Sequence, residues 1–81
     1  MTEAELVAKF DEMRAAAPKG HKIAWAHLFG ILFDQDITAV GATAAGIARK
    51  AGPPDAAVEI AGGRKLASYV TVKPGVKREW K

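Results

Sequence analysis

Three features of the sequence predict a mainly α fold, a compact bundle of about four short helices followed by a short extended segment and a basic tail. The first is periodicity: Leu6, Phe10, Met13 and Ala17 recur at steps of four, three and four residues, one face of a helix. The second is punctuation. Pro18-Lys19-Gly20, Gly41 and Gly52-Pro53-Pro54 divide the chain into short segments. The third is composition: 49% apolar and 26% charged residues over 81 positions is a globular balance and the size of one domain. There is no cysteine, so neither a disulfide nor a thiolate metal site staples the fold. The core must hold it alone.

The first helix starts at Thr2. Thr2-Glu3-Ala4-Glu5 fits a capping box, with the Thr hydroxyl on the third amide and the Glu5 carboxylate reaching back. Pro18-Lys19-Gly20 ends that helix. The second segment, Ile23 to Phe33, is the most apolar. Trp25, Leu28, Phe29, Leu32 and Phe33 share a helical face that Ile23 and Ile31 widen. Such a helix is central to the core, or its Leu28–Phe33 surface meets a second subunit. Asp34-Gln35-Asp36 breaks the run, Ile37 and Val40 pack after it, and Gly41 marks a loop.

The third helix follows Thr43, a good N-cap, and ends with Arg49 and Lys50, where the helix dipole favours cations. Pro54 and Asp55 open a fourth helix that runs to about Ala61 before Gly62-Gly63 weakens it. Ser68-Tyr69-Val70-Thr71-Val72 alternates and is rich in β-formers, which predicts a short strand or extended segment. Lys73-Pro74-Gly75 is a turn, and Val76 to Lys81 is a basic tail carrying Trp80.

Charge is uneven along the chain. Residues 1–40 hold six acids against four bases, whereas residues 41–81 hold eight bases against three acids. From Ala61 onward Arg64, Lys65, Lys73, Lys77, Arg78 and Lys81 face Glu79 alone. That asymmetry points to a polyanion partner for the C-terminal half, or to a solvated tail that keeps a small protein in solution.

Residues 44–61 have the spacing of a helix-turn-helix. That unit needs a small residue where two helices cross, a turn glycine four residues later and an apolar anchor six beyond it. Ala48, Gly52 and Val58 stand at those places. Ile47 and Ala51 flank them, and Ala61 helps pin the second helix. The other face of that helix is then free to enter a major groove. The domain therefore spans residues 1–81: supporting helices in 1–41, the helix-turn-helix and following turn in 42–70, and a basic C-terminal segment in 71–81.

The chain resembles the small bacterial and phage helix-turn-helix-like DNA-binding proteins. The resemblance rests on Ile47-Ala48-Arg49-Lys50-Ala51-Gly52, on Glu59-Ile60 and on Gly63-Arg64-Lys65-Leu66-Ala67-Ser68-Tyr69-Val70, with Leu28-Phe29-Gly30 in the preceding helix. It implies sequence-selective or general binding to double-stranded DNA, and a transcriptional regulator is the role expected of such a domain. A unit this small reads few base pairs, which makes a homodimer one expectation, and the acidic start without a membrane-length run points to a cytoplasmic protein. The candidate contact residues are Arg49, Lys50, Glu59, Arg64, Lys65, Tyr69 and Lys73. Arg49 and Lys50 suit phosphates. Arg64, Lys65 and Tyr69 reach phosphates or base edges, or lie in a solvated loop. Glu59 accepts from a cytosine amino group or forms an intramolecular ion pair. Lys73, Lys77, Arg78 and Lys81 form an arm beside the duplex, in which Trp80 stacks, wedges into a groove or covers the core.

One departure favours an alternative. The candidate recognition helix, Pro54 to Ala61, carries only Asp55 and Glu59 as polar groups, and acids repel phosphate. A non-enzymatic helical protein–protein interaction module fits those acids. Other chemistry is not encoded. His21 and His27 are six residues apart, on different helix faces, with no cysteine to complete a metal set. Ser68 lacks a nucleophile-elbow context, and Gly62-Gly63-Arg64-Lys65 lacks the spacing of a P-loop. No catalytic set, cofactor box or small-molecule substrate site is evident. No apolar run reaches the ~20 residues of a membrane helix, and the acidic start lacks a signal-peptide profile.

Overall fold

Thr2 opens α1 (Glu3–Ala16) as a complete capping box. Its hydroxyl accepts from the Glu5 N–H at 3.1 Å, and its own N–H donates to the Glu5 carboxylate at 2.8 Å. The Thr2 backbone N–H, and after it the Thr2 side chain, hold the Glu5 carboxyl below its ordinary value. The computed structural model describes all 81 residues and contains four further helices: α2 (Lys22–Ala39), α3 (Ala44–Ala51), α4 (Ala56–Leu66) and α5 (Pro74–Trp80). α1 buries Leu6, Phe10 and Met13, as their spacing requires.

α2 is the centre of the molecule. Phe29 and Phe33 are buried on it, and Phe10, Phe29 and Phe33 stack in sequence with ring centroids 5.1 and 5.2 Å apart. The core therefore consumes Phe29, Leu32 and Phe33, the first of the two readings of this stretch. Two expectations fail here. Ile23 does not widen the buried face, being 64% exposed, and Val40 is exposed too. Nor does Asp34-Gln35-Asp36 break the helix. Asp34 pairs with Arg64 and Asp36 with Lys81, so cations from α4 and the C-terminus neutralise both acids. The helix continues and buries Ile37, one helical step after Phe33.

α4 lies chiefly on α2 and secondarily on α3. It runs through Gly62-Gly63 rather than stopping at them. A Cβ on Gly63 would collide with the His27 carbonyl, and one on Gly30 with the Ile60 carbonyl. Each helix thus offers a glycine to the other's backbone. Close packing outweighs the roughly 1 kcal/mol per residue that glycine costs in a helix.

No strand forms. Residues 67–69 turn, and residues 70–73 adopt no regular structure. A single strand has no ladder to complete, which outweighs the β-forming side chains. The basic tail is instead α5, with Pro74 in its first turn. Trp80 is buried, edge-on to Trp25 with ring centroids 5.3 Å apart, and Val76 is half-buried one turn before it. The Lys81 ammonium donates to the Leu32 carbonyl at 2.7 Å and lies 5.4 Å from the centroid of the Phe33 ring. The C-terminal segment is a lid on α2 and not an arm. Trp80 covers the core.

Candidate nucleic-acid interface

The α3–turn–α4 unit is built from small residues. The Thr43 hydroxyl accepts from the Gly46 N–H at 3.0 Å and starts α3. Ile47 and Ala48 are fully buried, so α3 approaches closely along its small face. Gly52 adopts φ +122°, a conformation side chains resist, and its N–H closes the helix on the Ala48 carbonyl at 3.0 Å. The predicted crossing residue and turn glycine are therefore in place.

The predicted anchor is not. Val58 is 72% exposed, and Ile60, two residues later, is fully buried. Two residues turn a helix by about 200°, so the two side chains lie on opposite faces. Ile60 and Gly63 hold α4 to α2, while Ala61 is only half-buried. Val58 instead heads the outward face. Lys65, seven residues on, returns to the same side and is exposed, and Tyr69 follows in the turn at 83% exposure.

The candidate contact residues divide into two groups. Lys50 is tied to Glu3 at the start of α1. Arg64 donates through Nε to Asp34 at 2.7 Å and through Nη2 to the Thr38 hydroxyl at 2.8 Å, a clasp between α4 and the end of α2. Glu59 lies 3.7 Å from His27 Nε2. The His27 Nδ1 sits 3.0 Å from the Ile23 carbonyl, which can only accept, so that nitrogen carries the proton. Nε2 then attracts Glu59 only when the ring is doubly protonated. Lys50 and Arg64 are engaged within the chain, and Glu59 is an acid that phosphate repels, so all three are poor candidates for base or phosphate contact. By contrast Arg49, Lys65, Tyr69 and Lys73 are exposed, and the three cations among them form no ion pair within the chain. The expected cationic arm is not formed as such. Lys77 and Arg78 are exposed on α5, and Lys81 is held by Asp36.

Two of these free cations flank α4. Arg49 sits in the last turn of α3, just ahead of α4, and Lys65 lies in α4's last turn. At 1.5 Å per residue, the rise from the first residue of α4 to Lys65 is about 14 Å, close to the ~12 Å width of the major groove. Between these ends the outward side of the helix carries Val58, with exposed Asp55 at its start.

The match to a known family spans this architecture: the model of the helix-turn-helix-like (HTH-like) domain family fits residues 2–73. The chain belongs to that family. No curated protein and no solved structure matches it. The HTH-like domain so matched runs from the N-cap of α1 to the residue before α5. The all-helical fold agrees with a mainly α reading, and no helix is long and apolar enough to cross a membrane.

Two exposed apolar residues of the HTH-like domain, Ile23 and Val58, read as core positions in the sequence. The signal for Val58 was present. Ile60 and Gly63 are three apart, and a helix that buries both must turn Val58 outward. The signal for Ile23 was weaker, because an apolar residue at the start of an apolar helix is ordinarily taken for core.

Proposed function

We propose that this HTH-like domain binds double-stranded DNA and acts as a small cytoplasmic transcriptional regulator of bacterial type, without enzymatic activity. The observation that carries the reading is the disposition of unpaired charge. Once internal ion pairs are subtracted, Arg49 before α4 and Lys65 and Lys73 after its middle remain free and exposed. α4 lies in the major groove with these cations on phosphates, which supply most of the affinity and make it salt-dependent. Sequence preference comes from Val58 against a thymine methyl and from Tyr69 at a base edge. Few side chains reach bases, so discrimination between sites is modest.

A protein–protein interaction module remains the second reading. It draws on Asp55 and Glu59, which give the N-terminal half of α4 an acidic side.

Fluorescence anisotropy with a labelled random duplex separates the two readings. The expected result is micromolar binding at low salt that weakens steeply as salt rises. Lys65→Ala should lower the salt slope by about 0.9, the value of one phosphate contact. Tyr69→Ala should weaken binding with the slope unchanged. No binding at low salt sinks the DNA reading and leaves the interaction module.

A further inference from the structure

A groove of about 270 Å³ opens between the end of α1, the start of α2 and the start of α4. Phe10 and Ala26 from the core reach its floor, and Ala56 lies on its α4 side. Its walls carry opposite charge. Arg14 and Lys22 line it from α1 and α2, and Asp55 and Glu59 from the start of α4. Neither base pairs with either acid inside the chain. Ile23 also lines the groove and is 64% exposed, a large apolar side chain beside an apolar recess. Around it the first turn of α2 is exposed at His21, Lys22 and Ala24; the Lys22 ammonium reaches only the Arg14 carbonyl, at 3.3 Å, and the His21 side chain makes no capping bond.

We infer that this groove is a homodimer interface, and that its occupant is the first turn of α2 from a second copy of the chain. A two-fold interface requires one patch to complement itself. This patch holds a knob and a recess, and a basic wall and an acidic wall. Rotation of one copy onto the other puts each Ile23 into the opposite recess and sets Lys22 and Arg14 of each copy against Asp55 and Glu59 of the other. A partner of uniform charge satisfies only one wall and is repelled by the other. The interface leaves the outward face of α4 open, because Val58, Lys65 and Tyr69 do not line the groove. It uses none of the free cations assigned to DNA, so the two readings stand or fall separately.

The test is a charge swap on the full chain, read by sedimentation equilibrium. Lys22→Glu adds an acid at the start of a helix, which the helix dipole tolerates. Asp55→Lys removes a side chain that makes no capping bond. Each variant alone should be monomeric at concentrations where the unaltered chain is dimeric, with at least a tenfold weaker association. Mixed one to one, they should dimerise again. The carboxylate introduced in one variant then faces the ammonium introduced in the other, while the second contact retains its original Lys22–Asp55 pair. Ile23→Asp should be monomeric alone and in every mixture. Helical circular dichroism of each variant establishes that it is folded. An unaltered chain that is monomeric up to millimolar concentration overturns the inference. So does a dimer that survives both charge changes and Ile23→Asp. Duplex binding by a chain that stays monomeric would overturn this interface alone.

Discussion

Residues 43–61 and residues 62–81 contain the same kinds of residue and use them in opposite ways. Both stretches hold glycines, prolines and neighbouring cations. In the first, Gly52 ends a helix with a positive φ and Pro53 prevents its resumption. In the second, Gly62 and Gly63 lie inside a helix, and Pro74 begins one. In the first, Arg49 is free while its neighbour Lys50 is bound. In the second, Lys65 is free while its neighbour Arg64 is bound. The difference teaches that glycine and charge have no fixed local meaning. What packs opposite decides between turn and close approach, and between contact residue and clasp.

The largest test of the second stretch is Trp80→Ala. If α5 were the tail its composition predicts, this change would leave the fold untouched. With Trp80 only 7% exposed against Trp25, it should cost about 3 kcal/mol, the lower end for a large aromatic. The lower end applies because the buried indole N–H has no acceptor, and its loss recovers some desolvation cost. Thermal unfolding should fall by at least about 12 °C in a domain of this size. An unchanged transition would return residues 74–81 to the status of a tail.

The next test sets the two kinds of glycine against each other. Gly63→Ala forces α2 and α4 apart at the His27 carbonyl and should cost about 2–3 kcal/mol, despite the better helix propensity of alanine. Gly52→Ala meets no atom within 4 Å and should cost only the strain of its φ, about 1–2 kcal/mol. Urea unfolding of the two variants ranks them. The reverse order would mean that the turn limits stability and the helix crossing yields easily.

What the sequence disclosed follows the same division. Elements whose cause is local were legible: the Thr2 capping box, the Thr43 cap, the Leu6–Phe10–Met13 stripe and the Gly52 stop depend on residues within a turn or so of one another. Elements whose cause lies across the fold were not. Asp34 and Asp36 break a helix in isolation, and only Arg64 and Lys81, 30 and 45 positions away in sequence, make them compatible with one. The Gly30–Gly63 crossing and the docking of Trp80 on Trp25 are of this second kind. The candidate contact residues divide likewise. The exposure of Arg49, Lys65, Tyr69 and Lys73 is what their residue types lead one to expect. The internal engagement of Lys50, Glu59 and Arg64 depends on partners from α1 and α2 that composition alone does not place.

The finest test compares two adjacent cations. Arg64 and Lys65 read alike in sequence, yet Arg64 bridges Asp34 and Thr38 while Lys65 has no partner. Arg64→Ala leaves a half-buried carboxylate without its guanidinium. The pair is about a quarter to a third exposed, so water screens part of the loss, and the cost should be about 1 kcal/mol, a few degrees in the melting transition. Lys65→Ala should change stability by less than about 0.5 kcal/mol. Binding to duplex DNA should show the opposite order. The salt slope falls for Lys65→Ala and holds for Arg64→Ala, whose charge is already spent on Asp34. If Arg64→Ala instead lowers the slope and spares the melting transition, the clasp opens on DNA and Arg64 turns to phosphate. Asp34→Asn then decides the matter. It releases Arg64 without removing it, and it should tighten binding only if the arginine is able to turn outward.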